Sequence, residues 1–259
     1  LNSLKVKEHI VEWLSSYANK AFAKGFIVGI SGGVDSALTS TLCALTGKKV
    51  LLLSMPIRQT TAEFERANEH INNLKSRFDN VSSIETNLTD TFTQFEKSIP
   101  FEVVQNNLAM ANSRSRLRMM TLYAVGQANG CLVAGTGNKV EDFGVGFYTK
   151  YGDGGVDISP IADLMKTQVW ELAKEVGVVE SIIKAKPTDG LFEDGRSDED
   201  QIGASYPELE WAMEFKGEES SLGERQLEVL SIFRKLNEMN QHKMNPIPVC
   251  EIPFSLKGI

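Results

Sequence analysis

Glycine, serine and aspartate stand close together at residues 29–36, in the order Gly-Ile-Ser-Gly-Gly-Val-Asp-Ser, directly after a short apolar run. Two consecutive glycines let a backbone approach an anion closely and take up positive φ. The amides of such a loop and of the following helix N-terminus bind phosphate, and the two serines add hydroxyl donors. Asp35 would repel a bare phosphate, so it indicates a Mg²⁺ between them. The segment predicts a phosphate-binding loop rather than a plain capped turn, and the missing Gly-Lys-Ser/Thr excludes a Walker loop.

Three further segments carry charged residues that could meet such a ligand. Residues 112–118 read Asn-Ser-Arg-Ser-Arg-Leu-Arg, and these arginines repel one another unless an anion or an acidic partner lies nearby. Glu141 follows the apolar run 131–134 and a Gly-Thr-Gly-Asn turn, where it could supply a second carboxylate to the metal. The glycine-rich stretch 147–160 contains Lys150 and two aspartates. Taken singly, each segment also has a purely structural explanation. The first could be a solvated charged face, the second a turn and the third a flexible loop.

The elements that must position these residues follow from the apolar pattern. Short apolar runs predict buried parallel strands over residues 26–30 and 50–55, and we expect a third and a fourth strand over 81–86 and 131–134. Helical spacing predicts helices over residues 36–45, 60–78, 88–95, 103–128, 165–176, 178–184, 206–215 and 222–240, with a loop over 186–200. Strands alternating with helices are typical of an α/β fold. We therefore expect a doubly wound parallel sheet flanked by helices, with a mostly helical C-terminal extension.

Composition narrows the class of protein. The chain has 259 residues, 42% of them hydrophobic and 24% charged, which is ordinary for a globular protein. We expect one domain over 1–259, with an α/β core over about 20–185 and the helical extension over about 186–259. The net charge of −7 argues against a nucleic-acid partner, and no apolar run predicts a membrane span. Three cysteines without a Cys-x-x-Cys pair favour the cytoplasm.

The order of the motifs resembles a known family. The SGGVDS loop is similar to the pyrophosphate loop of the N-type ATP pyrophosphatases. Together with the arginine-rich helix, GTGNxxE, FxTKYGDGGVDxxP, PTDGL and a His-Lys pair, it resembles the ammonia-dependent NAD synthetases over about residues 5 to 250. That resemblance implies amidation of deamido-NAD with ammonia and ATP, through an acyl-adenylate, to give NAD, AMP and pyrophosphate.

The resemblance also implies roles for individual residues. ATP would contact Gly29, Ile30, Ser31, Gly32, Gly33, Val34, Asp35, Ser36, Thr136, Lys166 and Thr188. Deamido-NAD would contact Arg116, Lys150, Asp157, His242 and Lys243, and Mg²⁺ would bind Asp35 and Glu141. No side-chain nucleophile is needed, so Asp35 and Lys166 would contribute to catalysis through charge and metal. One more residue separates Glu141 from Lys150 than in some short family members.

The sequence also bears on the source of ammonia, the oligomeric state and the alternative functions. At 259 residues the sequence leaves no room for a fused glutaminase half, so free ammonia or a separate ammonia-supplying protein is expected. The family resemblance implies a homodimer. The predicted helix 103–128 is apolar on more than one side, which supports a twofold partner. Another synthetase of the superfamily, such as a GMP synthetase-like core or a tRNA thiolase, remains an alternative, as does a non-catalytic nucleotide-binding α/β protein.

Overall fold

A parallel four-stranded sheet forms the centre of the protein in the computed structural model, which describes residues 1–188 and 197–257. The strands are β1 (Gly25–Gly29), β2 (Lys49–Ser54), β3 (Val81–Glu85) and β4 (Cys131–Val133). Their order is β3-β2-β1-β4. Ile27 at the middle of β1 lies opposite Leu51 of β2 and Val133 of β4.

Helices cover both faces of this sheet. They are α1 (Ser3–Lys20), α2 (Val34–Leu45), α3 (Thr61–Arg77), α4 (Thr89–Ser98), α5 (Phe101–Val104), α6 (Asn107–Asn129), α7 (Lys166–Glu175), α8 (Glu180–Ile183), α9 (Asp198–Ile202), α10 (Tyr206–Glu214) and α11 (Glu224–Met244). A π-helix spans Val140–Val145, and short 3₁₀ turns span Glu219–Ser221 and Phe254–Leu256.

Alternation along the strands separates two cores. Phe26 and Val28 of β1 pack with α1, α2, α3 and α7, whereas Ile27 between them packs with α4 and α6 on the opposite face. Successive strand residues point to opposite faces, so a strand buried on both sides must be apolar throughout. The predicted α/β class, with helices on both faces of a parallel sheet, is confirmed.

The C-terminal part of the chain builds a third core from helices. Val140 and Val145 of the π-helix pack with α10 and α11. Trp170 of α7 contacts both this core and the one beneath α2. The predicted helical C-terminal extension is confirmed.

Two predicted elements differ from the structure because a capping side chain overrides the apolar pattern. The single helix expected over 103–128 is broken after Val104, and Asn106 caps α6 by accepting a hydrogen bond from the Ala109 amide at 3.0 Å. The loop expected over 186–200 ends early, since the Ser197 hydroxyl accepts from the Asp200 amide at 3.1 Å and starts α9. Residues 189–196 of that loop lie outside the described residues.

The remaining strands and helices agree closely with the prediction, and each predicted strand is displaced by at most one residue at either end. Across residues 1–188 and 197–257, no helix is long and apolar enough to cross a bilayer.

Replacing the cap of α6 tests the local explanation for the broken helix. Asn106→Ala removes the acceptor for the Ala109 amide, so the free energy of unfolding should fall by about 1 kcal/mol, the usual loss for such a cap. Urea unfolding followed by circular dichroism measures the change. The adjacent exposed residue supplies the control, Asn107→Ala, and equal losses in the two variants would contradict the capping role.

Candidate active site

The phosphate loop joins β1 to α2 and is ordered by its own side chains. Gly32 has a φ of +86°, and a Cβ there would lie 2.6 Å from the Glu63 carbonyl oxygen, so the position requires glycine. The Gly33 amide donates to the Ser31 hydroxyl at 3.2 Å, and the Ser36 hydroxyl donates to the Gly33 carbonyl at 3.0 Å. The loop therefore presents its backbone at a helix N-terminus, which is suited to an anion.

A cavity of about 230 Å³ opens at the carboxyl ends of β1 and β4, next to this loop. Ligands of parallel α/β proteins bind at this edge of the sheet. The structure brings together at the cavity wall every residue predicted to contact ATP or Mg²⁺ except Gly32: Gly29, Ile30, Ser31, Gly33, Val34, Asp35, Ser36, Thr136, Glu141, Lys166 and Thr188. These residues are spread along the chain from Gly29 to Thr188, so only the folded structure brings them together.

A buried lysine links the two predicted metal ligands. The Lys166 ammonium lies 2.7 Å from Asp35 Oδ2 and 3.0 Å from Glu141 Oε1, and the residue is only 2% exposed. Burial alone would lower the pKa of Lys166, but the charges of Asp35 and Glu141 outweigh it and raise the pKa. The lysine is thus a charged group held between two carboxylates.

Asn138 and the π-helix hold this arrangement from the opposite side. The Asn138 side-chain Nδ2 donates to Asp35 Oδ1 at 3.0 Å, and its Oδ1 accepts from the Glu141 amide at 3.2 Å. Glu141 is the second residue of the π-helix. A π-helix accommodates an additional residue in one turn.

Tyr206 and Asp198 belong to this site and were missed by the sequence analysis. The Tyr206 hydroxyl donates to Glu141 Oε1 at 2.5 Å and lies 3.1 Å from Asp198 Oδ2. The Lys166 ammonium lies over the Tyr206 ring, 4.7 Å from its centroid. Burial, and then the neighbouring carboxylates, raise the pKa of Tyr206 well above its ordinary value. A tyrosine at the start of an amphipathic helix reads as a core residue, so no sequence signal pointed to it.

Asp153 is a further cavity residue to which the sequence analysis gave no role. Its Oδ1 accepts from the Ser115 hydroxyl at 2.6 Å and from the Thr149 amide at 3.1 Å. Ser115, Arg118 and Asp153 line the cavity, and the Arg118 Nε donates to the Met55 carbonyl at 3.1 Å. The sequence indicated the arginine-rich segment 112–118 and the glycine-rich segment 147–160 as candidates. Residue spacing does not show which of their side chains face the cavity.

The cations predicted to bind deamido-NAD form a separate group. Arg116 Nε donates to the Lys150 carbonyl at 3.1 Å, and the Lys150 ammonium donates to the His242 carbonyl. The Lys243 ammonium donates to the carbonyls of Gly146 and Tyr148 at 2.8 and 2.9 Å. Neither these three cations nor His242 line the cavity. They join α6, α11 and the glycine-rich segment to one another.

Asp157 makes different contacts from the other predicted dinucleotide ligands. Its Oδ1 accepts from the Tyr123 hydroxyl at 3.0 Å and its Oδ2 accepts from the Val133 amide at 2.8 Å. Burial, together with the hydrogen bond to Asp157, raises the pKa of Tyr123 to about 12. The carboxylate therefore holds the end of β4 against α6.

Comparison with known proteins agrees with this geometry. A sequence model of the NAD synthase family matches residues 6–246. The chain belongs to the NAD synthase family. Curated relatives include the NH₃-dependent NAD⁺ synthetase of Mycoplasma genitalium, 36% identical over 94% of each chain. That of Carboxydothermus hydrogenoformans is 37% identical over 95% of this chain and 96% of its own.

Solved structures of this NAD synthase fold extend the comparison. NMN synthetase from Francisella tularensis superposes with a TM-score of 0.84 at 29% identity, covering 98% of this chain and 99% of its own. An NH₃-dependent NAD synthetase from Campylobacter jejuni has a TM-score of 0.78 at 23% identity, with 97% and 100% covered, and shows the shared fold. The resemblance derived from the sequence motifs is confirmed.

Beneath the phosphate loop, a buried histidine connects α2 to α3. The Ser40 hydroxyl lies 2.7 Å from the Ser36 carbonyl and 2.8 Å from His70 Nε2. A neutral imidazole can pair with this hydroxyl as donor or as acceptor, because a hydroxyl fills either role. His70 Nδ1 has no hydrogen-bond partner among the described residues. Burial, and secondarily the charge of Arg77, lower the pKa of His70 to about 4.

This histidine should make stability depend on pH. Because the folded-state pKa lies below the unfolded value of 6.5, the contribution of His70 is complete above pH 6.5 and is lost as pH falls toward 4. The stability of the wild type relative to His70→Gln should therefore decrease by up to about 3 kcal/mol between pH 7 and pH 4. Urea unfolding of both proteins across that range measures it. Parallel profiles would contradict the assignment.

Proposed function

We propose that this protein amidates deamido-NAD with ammonia at the expense of ATP, giving NAD, AMP and pyrophosphate. The observation that carries the proposal is that the phosphate loop opens onto the same cavity as the Asp35–Lys166–Glu141 cluster. Adenylation needs both an anion cradle and cationic charge at the phosphates. The activity is also the one named for the curated relatives that match nearly the whole chain.

The residues suit a magnesium site completed by the nucleotide. Asp35 and Glu141 offer hard carboxylate oxygens, which Mg²⁺ prefers. Among the described residues no group of three or more His, Cys, Asp or Glu could hold a metal by itself. Magnesium usually binds through one or two carboxylates together with substrate phosphates and water. We therefore assign Asp35 and Glu141 to a Mg²⁺ that, when bound, would neutralise charge developing on the phosphates.

The reaction needs no side-chain nucleophile. The nicotinate carboxylate attacks the α-phosphorus of ATP, the bond to the bridging oxygen breaks, and pyrophosphate leaves. The amides of residues 31–36 would hold the departing phosphates, and Lys166 would add positive charge beside them. The lone pair of ammonia then attacks the carbonyl carbon, AMP leaves with the bonding electrons, and the nitrogen releases one proton to solvent to give the neutral amide. Asp35 and Lys166 would contribute through charge and metal binding, not as nucleophiles.

The substrate contacts follow from where the residues lie. We assign ATP to the cavity residues of the phosphate loop with Thr136, Lys166 and Thr188. The remaining predicted ligands are assigned to deamido-NAD, namely Arg116, Lys150, Asp157, His242 and Lys243. Because these lie outside the cavity, they would contact the part of the dinucleotide that extends beyond the nicotinate. Residues 1–259 would then act as one catalytic unit, which the position of Trp170 between two cores supports.

A mononucleotide acceptor is the second candidate. The Francisella neighbour is named an NMN synthetase. In this chain the three cations that would hold the distal half of a dinucleotide, Arg116, Lys150 and Lys243, already donate to backbone carbonyls. We favour deamido-NAD. The phosphate of its AMP half could replace the backbone carbonyls as the acceptor for these cations.

Paired assays decide between the two acceptors. AMP and pyrophosphate release are measured with ATP, ammonium and either deamido-NAD or nicotinate mononucleotide. One charge-assisted contact is worth about 1.5–3 kcal/mol, so kcat/KM should be roughly 10- to 100-fold higher for the dinucleotide. Asp35→Asn should abolish adenylation without unfolding the chain, and the exposed Asp163→Asn is its control. A preference for the mononucleotide would favour NMN synthesis, and full activity of Asp35→Asn would contradict the site.

We further propose that the protein is a homodimer and that ammonia reaches it free or from a separate protein. Phe101, Leu108 and Met120 on α5 and α6 are 75%, 63% and 64% exposed. The exposure of these large apolar side chains on two consecutive helices supports a protein interface there. Leu122 of the same helix, by contrast, packs into the core beneath β1. A cytoplasmic location stays a prediction from the sequence.

Sedimentation tests the dimer. At micromolar concentration the protein should sediment with about twice the mass of one chain. Met120→Asp places a charge on the exposed face of α6 and should shift the equilibrium to monomers with reduced activity. Leu4→Asp, on an exposed position of α1 at the other face of the sheet, is the matched control. A monomeric wild type with full activity would defeat the proposal.

A further inference from the structure

The Lys166 ammonium occupies the space between the two carboxylates assigned to the metal. It contacts Asp35 Oδ2 at 2.7 Å and Glu141 Oε1 at 3.0 Å. Magnesium binds oxygen at about 2.0–2.1 Å. A divalent ion touching the same two oxygens would lie against the ammonium, and like charges at such a distance repel strongly. The lysine and the metal therefore compete for one position.

We propose that Lys166 is the resident counter-ion of the Asp35–Glu141 pair and that it leaves this position when a nucleotide-bound metal arrives. This inference rests on the proposed function. Without a metal, the ammonium keeps two partly buried carboxylates together that would otherwise repel. With the metal in place, the displaced ammonium is free to reach the phosphate oxygens of ATP.

The surroundings of Lys166 support exchange rather than permanent pairing. Asp198 adds a third negative charge that favours the charged form of Lys166. That additional negative charge favours the exchange of a singly charged ammonium for a doubly charged metal ion. Asp198 lines the same cavity, so a displaced Lys166 still has a carboxylate nearby.

The carboxylates themselves are held independently of the lysine. Asn138 donates to Asp35 Oδ1, and the Tyr206 hydroxyl donates to Glu141 Oε1. Both acids should therefore keep their positions while the lysine moves. Tyr206 supplies a ring face to the ammonium, which needs no rearrangement when the charge departs.

Competition predicts weak metal binding by the nucleotide-free protein and tighter binding once the ammonium is removed. Lys166→Met keeps a side chain of comparable length without charge. Titration with Mn²⁺, followed by the paramagnetic resonance signal of the free ion, should show at least tenfold tighter binding by Lys166→Met than by the wild type, without ATP. Lys139→Met, which removes an ammonium paired with the exposed Asp163 at 2.8 Å, should bind Mn²⁺ as the wild type does.

Thermal unfolding provides a second readout that does not depend on turnover. Lys166→Met should unfold at lower temperature than the wild type without metal, and Mg²⁺ should raise its midpoint far more than that of the wild type. If the variant folds only when Mg²⁺ is present, the metal has replaced the lysine, as proposed.

The inference is overturned if Lys166→Met binds Mn²⁺ no more tightly than the wild type, or if Mg²⁺ leaves its unfolding midpoint unchanged. Either result would mean that lysine and metal use different carboxylate oxygens and coexist. These measurements need no substrate. A protein that shows the competition but forms no NAD would contradict the proposed function alone, and an active enzyme without competition would contradict only this inference.

Discussion

One buried ammonium joins parts of the chain that share no local sequence. Lys166 is the first residue of α7, Asp35 lies in the first turn of α2, and Glu141 lies in the π-helix. An unpaired charge in such a place costs several kcal/mol, whereas a lysine with two carboxylates at hydrogen-bond distance is stable. The position of the π-helix relative to the phosphate loop is therefore tied to this contact.

The C-terminal helices enter the site through the same cluster. Tyr206 belongs to the core shared by α10, α11 and the π-helix, and its hydroxyl ends at Glu141. Its ring meets Trp170 edge to face at 6.1 Å. The helical extension thus does more than cover a surface, because it sets where the second carboxylate lies.

Two groups of cations have different tasks in the folded chain. Lys166 lies among carboxylates at the cavity, whereas Arg116, Lys150 and Lys243 donate to backbone carbonyls of the glycine-rich segment and of α11. A segment with so many glycines has few apolar side chains to anchor it. The cations order it, and the same segment carries Asp153 to the cavity wall.

The sequence by itself determined the four strands, most of the helices and the phosphate loop. Apolar runs mark β1, β2 and β4 within one residue, because a strand buried on both faces must be apolar throughout. The edge strand β3 is mostly exposed and carries only two apolar residues, Val81 and Ile84. The glycines and hydroxyls of residues 29–36 mark the loop, because few other residue types permit its backbone. The motif order also indicated the family.

Only the tertiary structure decided which of the candidate residues meet. Tyr206 and Glu141 are 65 residues apart, and Lys166 and Asp35 are 131 apart. Sequence periodicity cannot predict such a contact, because it depends only on the conformational preferences of neighbouring residues. Which distant side chains meet depends on how whole helices pack against one another. For the same reason Ser115 and Asp153 face the cavity while Arg116 and Lys150, one and three residues away, do not.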